Sequence, residues 1–224
     1  VYKAGTIPKN LIWGSQAQDI VSIALAVLLA VMILLFLKKK SMKSFIMMLG
    51  MAWYFFYAFG LYTLQGQYTS IYIIYMAIFS ISFYSIVFGV LSVNPDEAKH
   101  YHIPEYLRKA IIIFLFAMIG LLYPVWLLRM APDIAAHVPG PTYAVFILDL
   151  CLIFPAIGFI AYMLWKKKPL GNLLAGVALI KILTLCLSWA FGELSNLFVG
   201  NVFTPEMALI SSFLTLGSLL LFVP

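Results

Sequence analysis

The chain has 224 residues, 64% of them hydrophobic and only 10% charged, with a formal net charge of +6. A soluble domain carries roughly a quarter charged residues, so this composition excludes a soluble enzyme or scaffold and predicts an all-α integral membrane protein in contact with membrane lipids. The basic residues gather in a few clusters rather than along a face interleaved with exposed aromatics, which excludes nucleic acid as a partner.

A membrane-spanning helix takes about 20 mostly apolar residues, and seven runs qualify: 18–37, 43–64, 69–92, 108–128, 142–165, 170–192 and 205–224. The first carries Asp19 near its start, and Ser22, Ala26 and Ala30 make a seam of small residues that close helix packing explains. Lys38, Lys39 and Lys40 follow it. The second run contains Tyr54 and Tyr57, and the third a helical stripe of Tyr68, Tyr72, Tyr75, Phe79 and Ser82. Tyr68 and Tyr72 fit an interfacial aromatic belt. Tyr57 and Tyr75 lie deeper, where a hydroxyl needs a partner, and are expected to face a cavity.

The polar segment 94–109 opens with Asn94, Pro95, Asp96 and Glu97, an N-cap followed by a first-turn proline and acids at the positive end of the helix dipole. It predicts a short interfacial helix leading through Pro104 into the fourth span. His100 and His102 in this segment, beside Asp96 and Glu97, fit a solvated face rather than a metal site, because a spacing of two on a helix points the rings apart. After the fourth span, the stretch RMAPDIAAHVPGPT contains Pro132, Pro139, Gly140 and Pro141 and is expected to form an irregular outer cap or lid. The fifth span bears Asp149 and ends at Lys166, Lys167 and Lys168. The sixth contains GVALIKILTL, with Lys181 in an apolar run, Thr184 and Ser188 on the same stripe, and Glu193 expected to cap the helix at the outer boundary. Cys151 and Cys186 fall in apolar runs, where thiols serve as small packing groups. Val1 is not a methionine and Pro224 lies in an apolar run, a pattern expected of a chain shortened at one or both ends.

The three polar connections at 38–43, 94–109 and 166–168 hold ten of the 14 basic residues, and Lys3, Lys9 and Arg129 fall on the other side. The positive-inside rule then places the amino terminus outside and the carboxyl terminus inside a cell membrane, plasma or bacterial inner. The whole of 1–224 reads as one transmembrane domain.

Superposing the two lysine clusters reveals an internal similarity. The segments DIVSIALAVLLAVMILLFLKKK and DLCLIFPAIGFIAYMLWKKK start at Asp19 and Asp149, and the spans that follow both close on Ala-Phe-Gly, at Ala58–Gly60 and Ala190–Gly192. The reading is of two parallel three-helix repeats, 18–92 and 142–224, joined by a cytosolic linker and connector helix at 94–128. This three-plus-one-plus-three plan resembles that of the SWEET sugar carriers and the PnuC vitamin carriers, although Pro155 has no counterpart in the first span and no Pro-Gln pair of the SWEET type occurs. The KKKPLG stretch after an LDL…P span also resembles bacterial multi-pass membrane proteins of unassigned function. The plan-level resemblance implies a solute site between the repeats.

At 1.5 Å per residue, Asp149 lies roughly 10 Å and Lys181 roughly 16 Å below the outer helix ends. An unpaired lysine at mid-membrane costs about 3 kcal/mol on insertion scales, so the two are expected to pair. The candidate site comprises Asp149, Lys181, Glu193, Thr184, Ser188, Tyr75, Tyr57 and Asp19, with no cofactor. The leading expectation is a carrier for a small polar or charged solute. Alternatives are a membrane sensor or subunit of a larger complex, with a protein partner or as a homo-oligomer, and an intramembrane lipid-modifying enzyme. No HExxH, GxSxG, paired-cysteine or glycine-rich phosphate motif supports a familiar enzyme class. A retinal Schiff base is disfavoured, because the lysine is in the sixth span rather than the last.

Overall fold

The computed structural model describes residues 9–99 and 101–222. Lys3 and His100 lie outside the described residues. All regular structure among the described residues is helical: α1 (Lys9–Lys39), α2 (Met42–Leu64), α3 (Tyr72–Leu91), a short α4 (Pro95–Lys99), α5 (Glu105–Ala136), α6 (Tyr143–Leu148), a π turn (Asp149–Ile153), α7 (Phe154–Trp165), α8 (Pro169–Val199) and α9 (Pro205–Phe222). Helix α6, the π turn and α7 run on as one span. With it, seven helices are long and apolar enough to cross a membrane, as in a multi-pass membrane protein.

Each turn between spans has a local cause. Lys40 (φ 46°) and Lys167 (φ 55°) adopt left-handed backbone, and the next residues, Ser41 and Lys168, are extended and start α2 and α8. The two lysine clusters therefore reverse the chain by the same device. Gly171 is required at the second of these turns, since a Cβ there would sit 2.8 Å from the Met163 carbonyl carbon. A short helix is present in the polar segment as α4, with Asn94 Oδ1 accepting from the Asp96 N–H at 2.9 Å. Behind it, Asn172 Nδ2 donates to the Tyr101 carbonyl at 3.0 Å and ties this segment to the start of α8.

Two expectations need correction. The stretch after Arg129 is not irregular: α5 continues through Pro132 to Ala136, and only 137–142 is loop. A proline leaves one carbonyl of the preceding turn without its N–H donor, and neighbouring groups in a helix bundle can satisfy that carbonyl; the helix stops where His137 turns left-handed at φ 54°. Similarly, Glu193 does not cap a helix, because α8 runs six residues further, to Val199 and the left-handed Gly200.

Helices α2 and α8 form the buried centre. They cross where Gly50 faces Ile180 and Gly176 faces Ile46; a Cβ at Gly50 would lie 2.5 Å from Ile180 Cβ, and one at Gly176 2.8 Å from Ile46 Cγ2. Around this pair, α1 packs on both α2 and α8, α3 on α2, α7 and α9 on α8, α6 on α2, and α5 on α7 and α9. The outer helices turn Ile23, Leu34, Ile73, Ile81 and Leu220 outwards, each more than half exposed, as a bundle surrounded by lipid requires. At the end carrying the lysine turns the core is closed by Ile46, Leu164 and Leu173, all 0% exposed. At the other end, Tyr143 Oη donates to the Leu64 carbonyl (2.7 Å) and Gln65 Nε2 to the Pro141 carbonyl (2.7 Å), fixing the start of α6 against the end of α2.

Candidate functional site

A cavity of about 420 Å³ occupies the half of the bundle opposite the lysine turns. Its rim is formed by Gln18 on α1, Arg129 on α5, Thr142, and Glu193 and Asn196 on α8. Its walls are apolar, including Met118, Leu122, Phe146, Leu185 and Leu214. Its floor holds Asp149, Lys181 and Tyr57. Twelve residues of α8 separate Lys181 from Glu193, a drop of about 18 Å from rim to floor.

The π turn presents Asp149. Pro155 has no N–H to give the carbonyl four residues back, and the chain absorbs this with one wider turn in which the Phe154 N–H reaches the Asp149 carbonyl. The Asp149 carboxylate is 6% exposed, and its Oδ2 accepts from Trp126 Nε1 at 2.7 Å. Tyr57 is also within electrostatic reach of it. Lys181 is 3% exposed, and its Nζ stands 4.6 Å from the centroid of the Tyr57 ring, a cation–π contact.

Asp149 and Lys181 share the floor without forming the contact ion pair that the sequence predicts. The ion pairs among the described residues join Lys99 to Asp96 and Glu105 to Arg108 and Lys167, all at the other end of the bundle. Asp149 and Lys181 feel each other's charge across the cavity, but no carboxylate oxygen lies within 4.0 Å of the ammonium. Each group has other partners: the Trp126 indole and the Tyr57 hydroxyl engage the carboxylate, and the face of the Tyr57 ring receives the ammonium.

Of the eight expected site residues, Asp149, Lys181, Tyr57, Ser188 and Glu193 line this cavity. The other three stand apart from it. Tyr75 packs 4.9 Å from the Tyr62 ring and 5.7 Å from Phe59, in an aromatic cluster between α2 and α3. Thr184 turns its hydroxyl back to the Ile180 carbonyl at 2.8 Å. Asp19 accepts from Tyr62 Oη at 3.0 Å along the α1–α2 seam. In the same seam Ser22 Oγ and Tyr54 Oη are hydrogen-bonded at 2.8 Å.

The sequence reading missed Trp126, the hydrogen-bond partner of Asp149, and Arg129, whose guanidinium lies 5.6 Å from the Trp126 ring. The sequence held only part of the signal: an indole N–H deep in an apolar run needs an acceptor, but the run does not say which. Glu193 Oε2 is buried at the rim with no hydrogen-bond partner among the described residues. Among the described residues, no group of three or more His, Cys, Asp or Glu side chains is placed to hold a metal ion. No protein-family model, curated protein or solved structure matches the chain.

Proposed function

We propose that the chain is a carrier-type membrane protein that takes a small solute into this cavity from the outer face and holds it between Asp149 and Lys181. One observation carries the reading: two buried side chains of opposite charge line one cavity, whose lining stops short of the buried residues Ile46, Leu164 and Leu173 at the lysine end. Buried charges are costly in a membrane, and those present mark solute and ion paths more often than they mark packing. A half-open, half-closed bundle is the form an alternating-access carrier has in one of its end states.

Several features support two like-oriented halves around that site. Exchanging the first three spans with the last three maps the helix contacts onto one another: α1–α2 onto the contact of α7 with α8, α2–α3 onto α8–α9, and α1–α8 onto α6–α2. The turns at Lys40 and Lys167 share their geometry. At the central crossing, Ile46 meets Gly176 and Gly50 meets Ile180. Both pairs are 130 residues apart, as Asp19 and Asp149 are. Residues at equal height thus meet across an axis along the membrane normal, the arrangement of parallel-repeat carriers. The distribution of lysines supports an outward-facing mouth.

The test is solute flux in proteoliposomes with the unmodified protein, Asp149→Asn and Lys181→Met. The carrier reading expects flux that both substitutions abolish. Flux unchanged in both variants removes the site, and a stoichiometric co-purifying partner with no flux favours the sensor or subunit reading.

A further inference from the structure

We infer that the solute is an apolar α-amino acid or a close zwitterionic analogue, with an ammonium and a carboxylate side by side on an apolar body. This rests on the solute-binding reading of the cavity.

The floor carries one positive and one negative side chain, both at least nine-tenths buried and both lining the same cavity. In a poorly polarisable interior such charges attract strongly, yet they stay out of contact. Trp126 Nε1 anchors Asp149 at 2.7 Å and the Tyr57 ring anchors Lys181 at 4.6 Å. The result is a net-neutral pair of opposite charges facing the cavity.

Charge balance selects what can lie on it. A monoanion would satisfy Lys181 but leave a net negative charge buried beside Asp149, and a monocation would do the reverse; each carries an uncompensated desolvation cost. A phosphate, with up to two negative charges, would leave a larger net negative charge beside Asp149, the second cation of the lining, Arg129, standing at the rim. Between the floor and the rim the lining offers the hydroxyl of Ser188 and the indole of Trp189, while Met118, Leu122, Phe146, Ile182, Leu185 and Leu214 offer no polar side-chain group, so a sugar's ring of hydroxyls would find few partners there. A zwitterion lays its own dipole against that of the floor, carboxylate on Lys181 Nζ and ammonium on the Asp149 carboxylate, and extends an apolar side chain along those walls. The cavity of about 420 Å³ holds a body the size of leucine or phenylalanine.

Binding to the purified protein in nanodiscs tests this with L-phenylalanine and three analogues: 3-phenylpropanoate without the ammonium, L-phenylalanine amide without the carboxylate, and 3-phenylpropanamide with neither. L-phenylalanine is expected to bind at least tenfold tighter than any of the three. Asp149→Asn is expected to erase its advantage over 3-phenylpropanoate, and Lys181→Met its advantage over the amide. Either single variant can fail to fold, and the Asp149→Asn/Lys181→Met double variant, whose floor is again neutral, is expected to fold and to lose all discrimination. Equal binding of 3-phenylpropanoate and L-phenylalanine by the unmodified protein overturns the zwitterion class, and if Lys181→Met then abolishes binding, the solute site itself stands. Equal binding of every probe by the unmodified protein and the double variant overturns both. Binding of none of the four overturns the class.

Discussion

Asp19 and Asp149 occupy matching places in the two similar segments, yet they are used differently. Asp19 lies in the seam between α1 and α2, held by Tyr62, and nearby Ser22 and Tyr54 satisfy one another. Asp149 is equally well held, by Trp126, but on the wall of a cavity that also holds Lys181. The difference is a matter of neighbours. Where α1 closes directly on α2, a carboxylate becomes part of a helix–helix contact. Beside Asp149, α5 supplies an indole in place of a close-packed backbone, and space remains. The same residue type near the start of two similar segments packs into a helix seam in one and, by the reading above, serves a solute site in the other.

That contrast can be broken at several points, and the expected effects fall in order. Lys181→Met leaves Asp149 buried without its counter-charge and is expected to destabilise the protein by about 3–5 kcal/mol, read as a lower thermal midpoint in detergent; adding Asp149→Asn should recover most of the loss without restoring flux. Gly50→Val forces apart the α2–α8 crossing, where the space for a Cβ is already filled by Ile180, and is expected to cost about 1–3 kcal/mol by the same measurement. Trp126→Phe removes the indole donor to Asp149 and is expected to cost about 1–3 kcal/mol, and, because the carboxylate is then held by Tyr57 alone and less firmly kept from Lys181, solute affinity should fall with it. Tyr62→Phe removes the corresponding donor to Asp19 and is expected to cost about 1 kcal/mol of stability while leaving flux unchanged. If Tyr62→Phe and Trp126→Phe depress flux equally, the two aspartates are not functionally distinct.

Much of the fold was legible because the bilayer imposes strong rules on sequence. The spans at 43–64 and 142–165 fall within one residue of α2 and of the α6–α7 span, since lysine clusters and prolines mark their ends. The ends of α5 and α8 away from the lysine turns were read short by eight and seven residues respectively, at 128 and 192 against Ala136 and Val199. There Arg129, Asp133 and Glu193 looked like signs of an exit from the membrane, whereas helices go on past the apolar layer whenever neighbours pack against them. In the site, Lys181 and Asp149 stood out because charge in an apolar run is rare. Trp126 did not, because an indole in such a run is compositionally ordinary and its N–H finds an acceptor only in three dimensions. The π turn was invisible for a similar reason: Pro155 signals a disturbed helix, but not which wider turn absorbs it. Tyr75 was misassigned because its stripe gives the face of α3 but not its neighbour, which is the aromatic cluster with Phe59 and Tyr62.

The most direct measurement concerns access to the floor. Leu185 lines the cavity one helical turn above Lys181. A protein with Leu185→Cys as its sole thiol, Cys151 and Cys186 being replaced by alanine, is reconstituted and treated with a membrane-impermeant thiol reagent from each side in turn. Labelling is expected from the face opposite the lysine turns and not from the lysine face. Labelling from the lysine face alone, or from neither, contradicts an outward-open cavity ending at Asp149 and Lys181.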